Sequence, residues 1–206
     1  TMRDAESTLT QIRHQFQRAG ITTPAFDVAF ARVFAISNPG KDMRQVHPEF
    51  FERKTGALGD LVDVLFSVAG EVPGGKLISN TLIDASGKVK DWYRKETHKI
   101  LSGIESKTIS MLRHDLPMYL GYDLCTACAE EKLRQPIIYL DGYEMLGSGG
   151  STSGSNTTAS ADEWVRRLVE ECPGILFVIA GRRRVDWSRY DADWSRVICP
   201  VPLQQL

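Results

Sequence analysis

The chain has 206 residues, 42% of them apolar and 25% charged, with a formal net charge of -1. That is globular composition with apolar material for one domain, and it excludes a global field suited to nucleic acid or an anionic membrane. No stretch nears the ~20 apolar residues of a membrane span, the opening residues do not read as a secretory leader, and four cysteines do not make a disulfide framework; a reducing cytoplasmic setting is expected.

In chain order, the spacing predicts a helix over residues 1–19, with Leu9, Ile12 and Phe16 on one face and Gly20 as its stop. Thr23-Pro24 opens the next helix, threonine as cap and proline in the first turn. Its apolar stripe is Phe26, Ala29, Phe30, Val33 and Phe34, and Asn38-Pro39-Gly40 ends it. Leu58, Leu61, Val62, Leu65, Phe66 and Ala69 make a third amphipathic helix.

Gly70-Glu71-Val72-Pro73-Gly74-Gly75-Lys76 matches G-x-x-x-x-G-K, a phosphate-cradling loop, so Gly75 and Lys76 are candidate nucleotide-binding residues. The match is incomplete. Leu77 stands where a magnesium-binding Ser or Thr belongs, helical spacing precedes the loop, and Pro73 removes a backbone donor. A Pro-Gly-Gly hinge between helices fits the same residues.

Residues 77–113 read as mostly helical, with Trp92-Tyr93 as packing anchors and Lys88, Lys90, Arg94, Lys95 and Lys99 on a solvated face. His98 and His114 show no ligand or catalytic partner. Asp115-Leu116-Pro117 opens another helix that runs through Leu120, Leu124 and Cys128 to Leu133. Cys125 and Cys128 form a lone C-x-x-C in that pattern, without the second ligand pair that zinc needs. Cys172 and Cys199 fall in core-like patterns.

Pro136-Ile137-Ile138-Tyr139-Leu140-Asp141-Gly142-Tyr143-Glu144 organises the rest. Four apolar residues without a polar break predict a strand buried on both faces, as in a parallel sheet covered by helices. Asp141 then stands at the strand's carboxyl end, where open α/β sheets place ligand chemistry. An acid there, with a second three residues on, is the pattern that holds magnesium and orients an attacking water. Residues 147–160, GSGGSTSGSNTTAS, read as a low-complexity loop. Ser160 to Cys172 reads as a helix opened by a capping box, Ser160 with Glu163, and stopped by Pro173-Gly174. Ile175 to Ala180 is a second buried strand, ending in Gly181-Arg182-Arg183-Arg184, and Val197 to Val201 is a third short apolar piece. Trp187 and Trp194 bracket a polar loop and pack it down. Strand, helix, strand, loop, strand implies right-handed parallel crossovers. The expected fold is therefore α/β: one domain, mainly helical over 1–133, then a short parallel sheet of about three strands with a crossover helix over 134–206.

Several of these pieces together resemble a known family. They are Thr22-Thr23-Pro24-Ala25-Phe26-Asp27-Val28-Ala29, the run Leu116 to Leu124, the run Ile137 to Glu144, Asp162-Glu163-Trp164-Val165-Arg166-Arg167-Leu168, and Ile179-Ala180-Gly181-Arg182 with Trp187. Their order and spacing resemble the nucleotidase core of signal-transducing ATPases with numerous domains. This is the AAA-related branch of P-loop ATPases, whose members include apoptosis and plant-resistance ATPases and bacterial multidomain regulators. The resemblance spans about residue 8 to the end. It implies that Asp141 is the Walker B aspartate, holding magnesium through water, that Glu144 is its second acid, and that Arg182 follows the sensor strand. It also implies ATP or ADP with Mg2+ as the ligands of an intact parent. The family's lysine-bearing P-loop would precede Leu9, and a helical or winged-helix lid would follow Leu206. The chain is thus expected to be the Walker B and sensor half of a larger switch, with little ATPase activity and no bound cofactor of its own. Its expected partners are the rest of the parent chain or a second copy at an unpaired sheet edge, without membrane or nucleic acid. Two alternatives stay open: a non-enzymatic helical interaction module, and a self-contained nucleotidase using Gly70–Lys76.

Overall fold

The computed structural model describes residues 4–51, 100–101, 103–147 and 161–202. The predicted helix at 58–69, the Gly70–Lys76 motif with Gly75 and Lys76, the basic stretch 88–99 with His98, and the Gly/Ser run from 148 to 160 lie outside the described residues. The chain is mixed α/β and mostly helical, with a two-stranded parallel sheet.

Helix α1 spans Ala5–Arg18. Asp4 caps it, its carboxylate accepting from the Glu6 and Ser7 amides, and Gly20 ends the segment at φ +87°. Leu9 and Ile12 are buried as the spacing predicts, and Arg13 is buried with them. Helix α2, Pro24–Ser37, is apolar nearly all round and correspondingly buried on most sides. Its first turn is held from a distance. Asp123 accepts from the Ala25 amide at 3.2 Å and the Phe26 amide at 2.9 Å, so the carboxylate of a later helix caps this one. Thr23, the expected cap, instead donates its hydroxyl to Asp27 at 3.3 Å. Asp27 also takes a bidentate pair from Arg13, at 2.9 Å each, which locks α1 to α2. A short helix α3, Met43–Val46, and a 3-10 turn, Pro48–Phe50, follow. That turn places Phe50 between the Phe30 ring, 5.0 Å away, and the Arg13 guanidinium, 4.1 Å away.

Helix α4 is a single element, Ile109–Ala129, capped by Thr108. This corrects the expected start at Asp115–Pro117. Pro117 sits inside the helix, where it forfeits one ladder hydrogen bond. The fully buried Leu112, Leu116, Tyr119, Leu120 and Leu124 outweigh that loss. The helix also ends at Ala129 rather than Leu133, because Glu131 takes a left-handed conformation at φ +57°.

Strand β1, Ile137–Asp141, pairs in parallel with β2, Leu176–Ala180, with Asp141 opposite Ala180. Helix α5, Glu163–Glu170, is the crossover between them. Its cap position holds Asp162, and Ser160 of the expected capping box lies outside the described residues. Ile138 and Leu140 face inward and join one core with α2, α4 and α5. Their neighbours face out: Ile137 is 62% exposed, Tyr139 64% and Leu176 58%. The expectation of strands buried on both faces therefore fails among the described residues. One helical layer covers the sheet, and its outer face and both edges are open there.

The expected third strand is absent from the described residues. Its first residue closes a helical turn, α6, Trp194–Val197, and residues 198–202 form no strand. Two features account for this. Pro200 and Pro202 lack the donors a ladder needs. Trp194 packs edge-on against Trp187 at 4.8 Å, which turns the segment before it reaches the sheet. Cys199, read as core-like, is exposed. Among the described residues, no helix is long and apolar enough to cross a membrane.

Candidate functional site

The carboxyl ends of the two strands carry the three residues the sequence singled out. Asp141 closes β1 and is exposed. Its Oδ1 accepts from the Gly142 amide at 2.8 Å, and that amide also donates to the Ala180 carbonyl at 3.1 Å, extending the ladder by one bond. Gly142 makes this turn at φ +84°, a conformation that side chains disfavour. The chain then enters a 3-10 turn, Tyr143–Gly147, which turns Glu144 back toward the end of β2.

Glu144 Oε2 accepts from the Arg182 backbone amide at 3.2 Å, and the Arg182 Nε lies 4.0 Å from Oε1. Hydrogen bonds from its own backbone amide and from that of Arg182, helped by the Arg182 and Arg183 charges, hold the Glu144 carboxyl below the usual carboxylate range. The close approach requires glycine at 181. A Cβ there would stand 2.9 Å from Glu144 Oε2 and 3.0 Å from Tyr143 Cβ. The Arg182 side chain is 91% exposed, so its pairing with Glu144 is heavily screened by water. Asp186 and Asp191, possible partners for the arginine run, bond instead within their own loop, to Ser188 Oγ and the Asp193 amide.

The fold thus brings Asp141, Glu144 and Arg182 to one edge, as their strand-end positions predict. Gly75 and Lys76 lie outside the described residues. The edge offers one carboxylate oxygen of Asp141 beyond its turn bond, a second acid and a solvated guanidinium. A magnesium ion held through water on Asp141 fits that donor set, because magnesium keeps several waters and takes few protein ligands. Among the described residues, no group of three or more His, Cys, Asp or Glu side chains could hold a metal by itself.

Behind this edge lies a polar cluster that the sequence did not reveal. The Tyr143 hydroxyl donates to Asp162 Oδ2 at 2.5 Å. Trp187 Nε1 donates to the same oxygen and to the Tyr143 oxygen, 2.9 Å each. Arg166 donates to Asp162 Oδ1 at 3.0 Å and lies 3.7 Å over the Tyr190 ring. Burial, with the carboxylate accepting the phenol proton, pushes the Tyr143 hydroxyl well above the usual tyrosine range. These residues come from the turn after β1, the start of α5 and the loop after β2. Nothing in their local spacing pairs them; the tryptophan beside a polar loop was the one available signal.

A second cluster joins α4 to α5. Lys107 donates to Asp115 at 2.7 Å and to the Tyr119 hydroxyl at 3.1 Å, and Arg167 reaches the other Asp115 oxygen at 3.4 Å. His114, which the sequence left without partners, lies 2.9 Å from Glu163 and also contacts Arg167.

Comparison with known proteins finds no family model, no curated protein and no solved structure that matches this chain.

Proposed function

We propose that the chain is the Walker B and sensor half of a regulatory ATPase, acting within a longer cytoplasmic parent as part of an ATP/ADP switch. One observation carries the reading: Asp141, Glu144 and Arg182 converge at the carboxyl ends of two parallel strands, Asp141 closing one, Glu144 in the turn after it and Arg182 after the other. In this role Asp141 holds magnesium through water, Glu144 orients the attacking water, and Arg182 meets the charge of the terminal phosphate. A bound triphosphate would supply the electrophilic phosphorus and most of the oxygen ligands of the ion. The cradle of amides and lysine that such a ligand needs comes from elsewhere in the parent. The open sheet edges suit the parent's P-loop half or a second copy.

The test is a titration of a fluorescent ATP analogue with magnesium, read by anisotropy. This chain should show no specific micromolar binding. A parent that carries an upstream lysine-bearing P-loop should bind, and Asp141→Asn in that parent should cut turnover by about 100-fold or more while leaving folding intact. Unchanged turnover would sink the assignment. Micromolar binding by this chain, abolished by Lys76→Ala, would instead establish Gly70–Lys76 as a working phosphate loop.

A specific observation favours a second reading. Glu144 already bonds the Arg182 amide, a contact that by itself ties the two strand ends together. The chain would then be a helical interaction module without enzymatic activity. Loss of turnover in Asp141→Asn separates the two readings.

A further inference from the structure

Helix α4 and the end of α5 come into close contact at Gly121. A Cβ there would lie 2.6 Å from Glu171 Cβ and 3.3 Å from Cys172 Sγ, so only glycine admits the contact. One turn further along α4, Cys125 Sγ donates to the Glu171 carbonyl at 3.1 Å. Glu171 is the residue before Cys172, so the Cys125 and Cys172 side chains flank the same contact between α4 and the end of α5. Both cysteines are free. Cys128 lies on the next turn of the same helix.

We propose that Cys125 and Cys172 are a redox modification site, a dithiol that a low-molecular-weight disulfide such as oxidised glutathione converts to an intramolecular disulfide. The half-buried Cys125 meets the reagent first, and the buried Cys172 resolves the adduct. In the first step the Cys125 thiolate attacks one sulfur of the reagent. A Cys125–glutathione disulfide forms and one glutathione thiolate leaves. In the second, the Cys172 thiolate attacks the Cys125 sulfur, the protein disulfide forms and the second glutathione leaves. The protein gives up two electrons and two thiol protons, and one disulfide of glutathione becomes two thiols. The new bond fastens the chain just before β2 to α4 and closes a loop containing β1, Tyr143, Asp162 and α5. Such a closure restricts the unfolded chain and so favours the folded one.

Burial pushes both thiols above the ordinary cysteine range. The thiolate fraction therefore grows with pH, and the link should form about tenfold faster per pH unit while the thiols stay mostly protonated. The experiment uses the reduced 206-residue chain. It is exposed to oxidised glutathione at pH 7, 8 and 9, alkylated, digested without reductant and mapped by mass spectrometry. The expected product is one peptide pair joined through Cys125 and Cys172, with Cys128 alkylated. The link should persist in Cys128→Ser and vanish in Cys125→Ser, a half-buried position where the change leaves folding intact. The oxidised chain should melt several degrees higher, and reductant should reverse the shift. A Cys125–Cys128 link, glutathione adducts without a protein disulfide, or complete alkylation would each overturn the pairing. A Cys125–Cys172 link with no change in melting would overturn the fastening role.

Discussion

Asp141 and Asp162 flank the same crossover, one where β1 ends and the other where α5 begins, and their surroundings are opposite. Asp162 is 6% exposed, and both of its oxygens are engaged by Tyr143, Trp187 and Arg166. Asp141 stands in water and bonds the adjacent amide. A buried carboxylate held by three donors is shut off from a ligand by its surroundings, and its removal strands its partners. An exposed one contributes little to stability and is available to an ion or a phosphate-bound metal. The cluster around Asp162 therefore reads as the fastening of the fold, and the Asp141 edge as the place where chemistry can occur.

The largest effect should come from breaking the fastening. In Asp162→Ala the Trp187 N–H, the Tyr143 hydroxyl and the Arg166 cation lose their common acceptor in a buried site. A loss on the order of 3–5 kcal/mol is expected, read from the urea midpoint. A loss under about 1 kcal/mol would remove the contrast between the two aspartates.

A smaller effect should come from Gly181→Ala. The added Cβ meets the mobile end of Glu144 and the Tyr143 Cβ. The carboxylate can swing aside but Tyr143 is held in the buried cluster, so the loss should be about 1 kcal/mol. The same change should detach Glu144 from the Arg182 amide. An NMR titration should then show the Glu144 carboxyl moving up toward the ordinary glutamate value. No movement would mean that the amide bond does not set its acidity.

The smallest effect belongs to Glu144→Gln. Glu144 is only partly buried and sits at the open edge, and no measurable change in the urea midpoint at neutral pH is expected. Its folded-state pKa is depressed, so whatever it contributes is present above the ordinary glutamate value. That contribution is lost as the pH falls through the lower folded value. The variant should accordingly lower the neutral plateau by less than the urea midpoint resolves and flatten the acid limb by that same small amount. A clear drop at neutral pH would show that Glu144 belongs to the fastening and not to the open edge.

The helices were legible where their signals were local. Phe26, Phe30, Val33 and Phe34 repeat at helical spacing, and their burial follows. The runs before Asp141 and Gly181 were legible as strands for the same reason, and their parallel pairing puts Glu144 beside Arg182. Pro117 was misread as a helix start because its conformation suits the first turn. Its place inside α4 is decided by the leucines around it. The run from Val197 to Val201 was misread as a strand because a short apolar stretch does not say whether a sheet lies within reach. Pro200, Pro202 and the two packed tryptophans decided against it.

Sequence by itself determined the elements whose causes lie within a few residues: α1, α2, the two strands, and the acids and arginine at the strand ends. Spacing along the chain states which side chains share a face. Only the tertiary structure decided which of those side chains are buried and with what. Tyr143 and Trp187 lie 19 and 25 residues from Asp162, and Asp123 caps a helix 97 residues before it. A carboxylate carries the same chemistry at either position in the sequence. Whether it fastens the core or faces a ligand depends on the dielectric and the donors that distant segments bring to it.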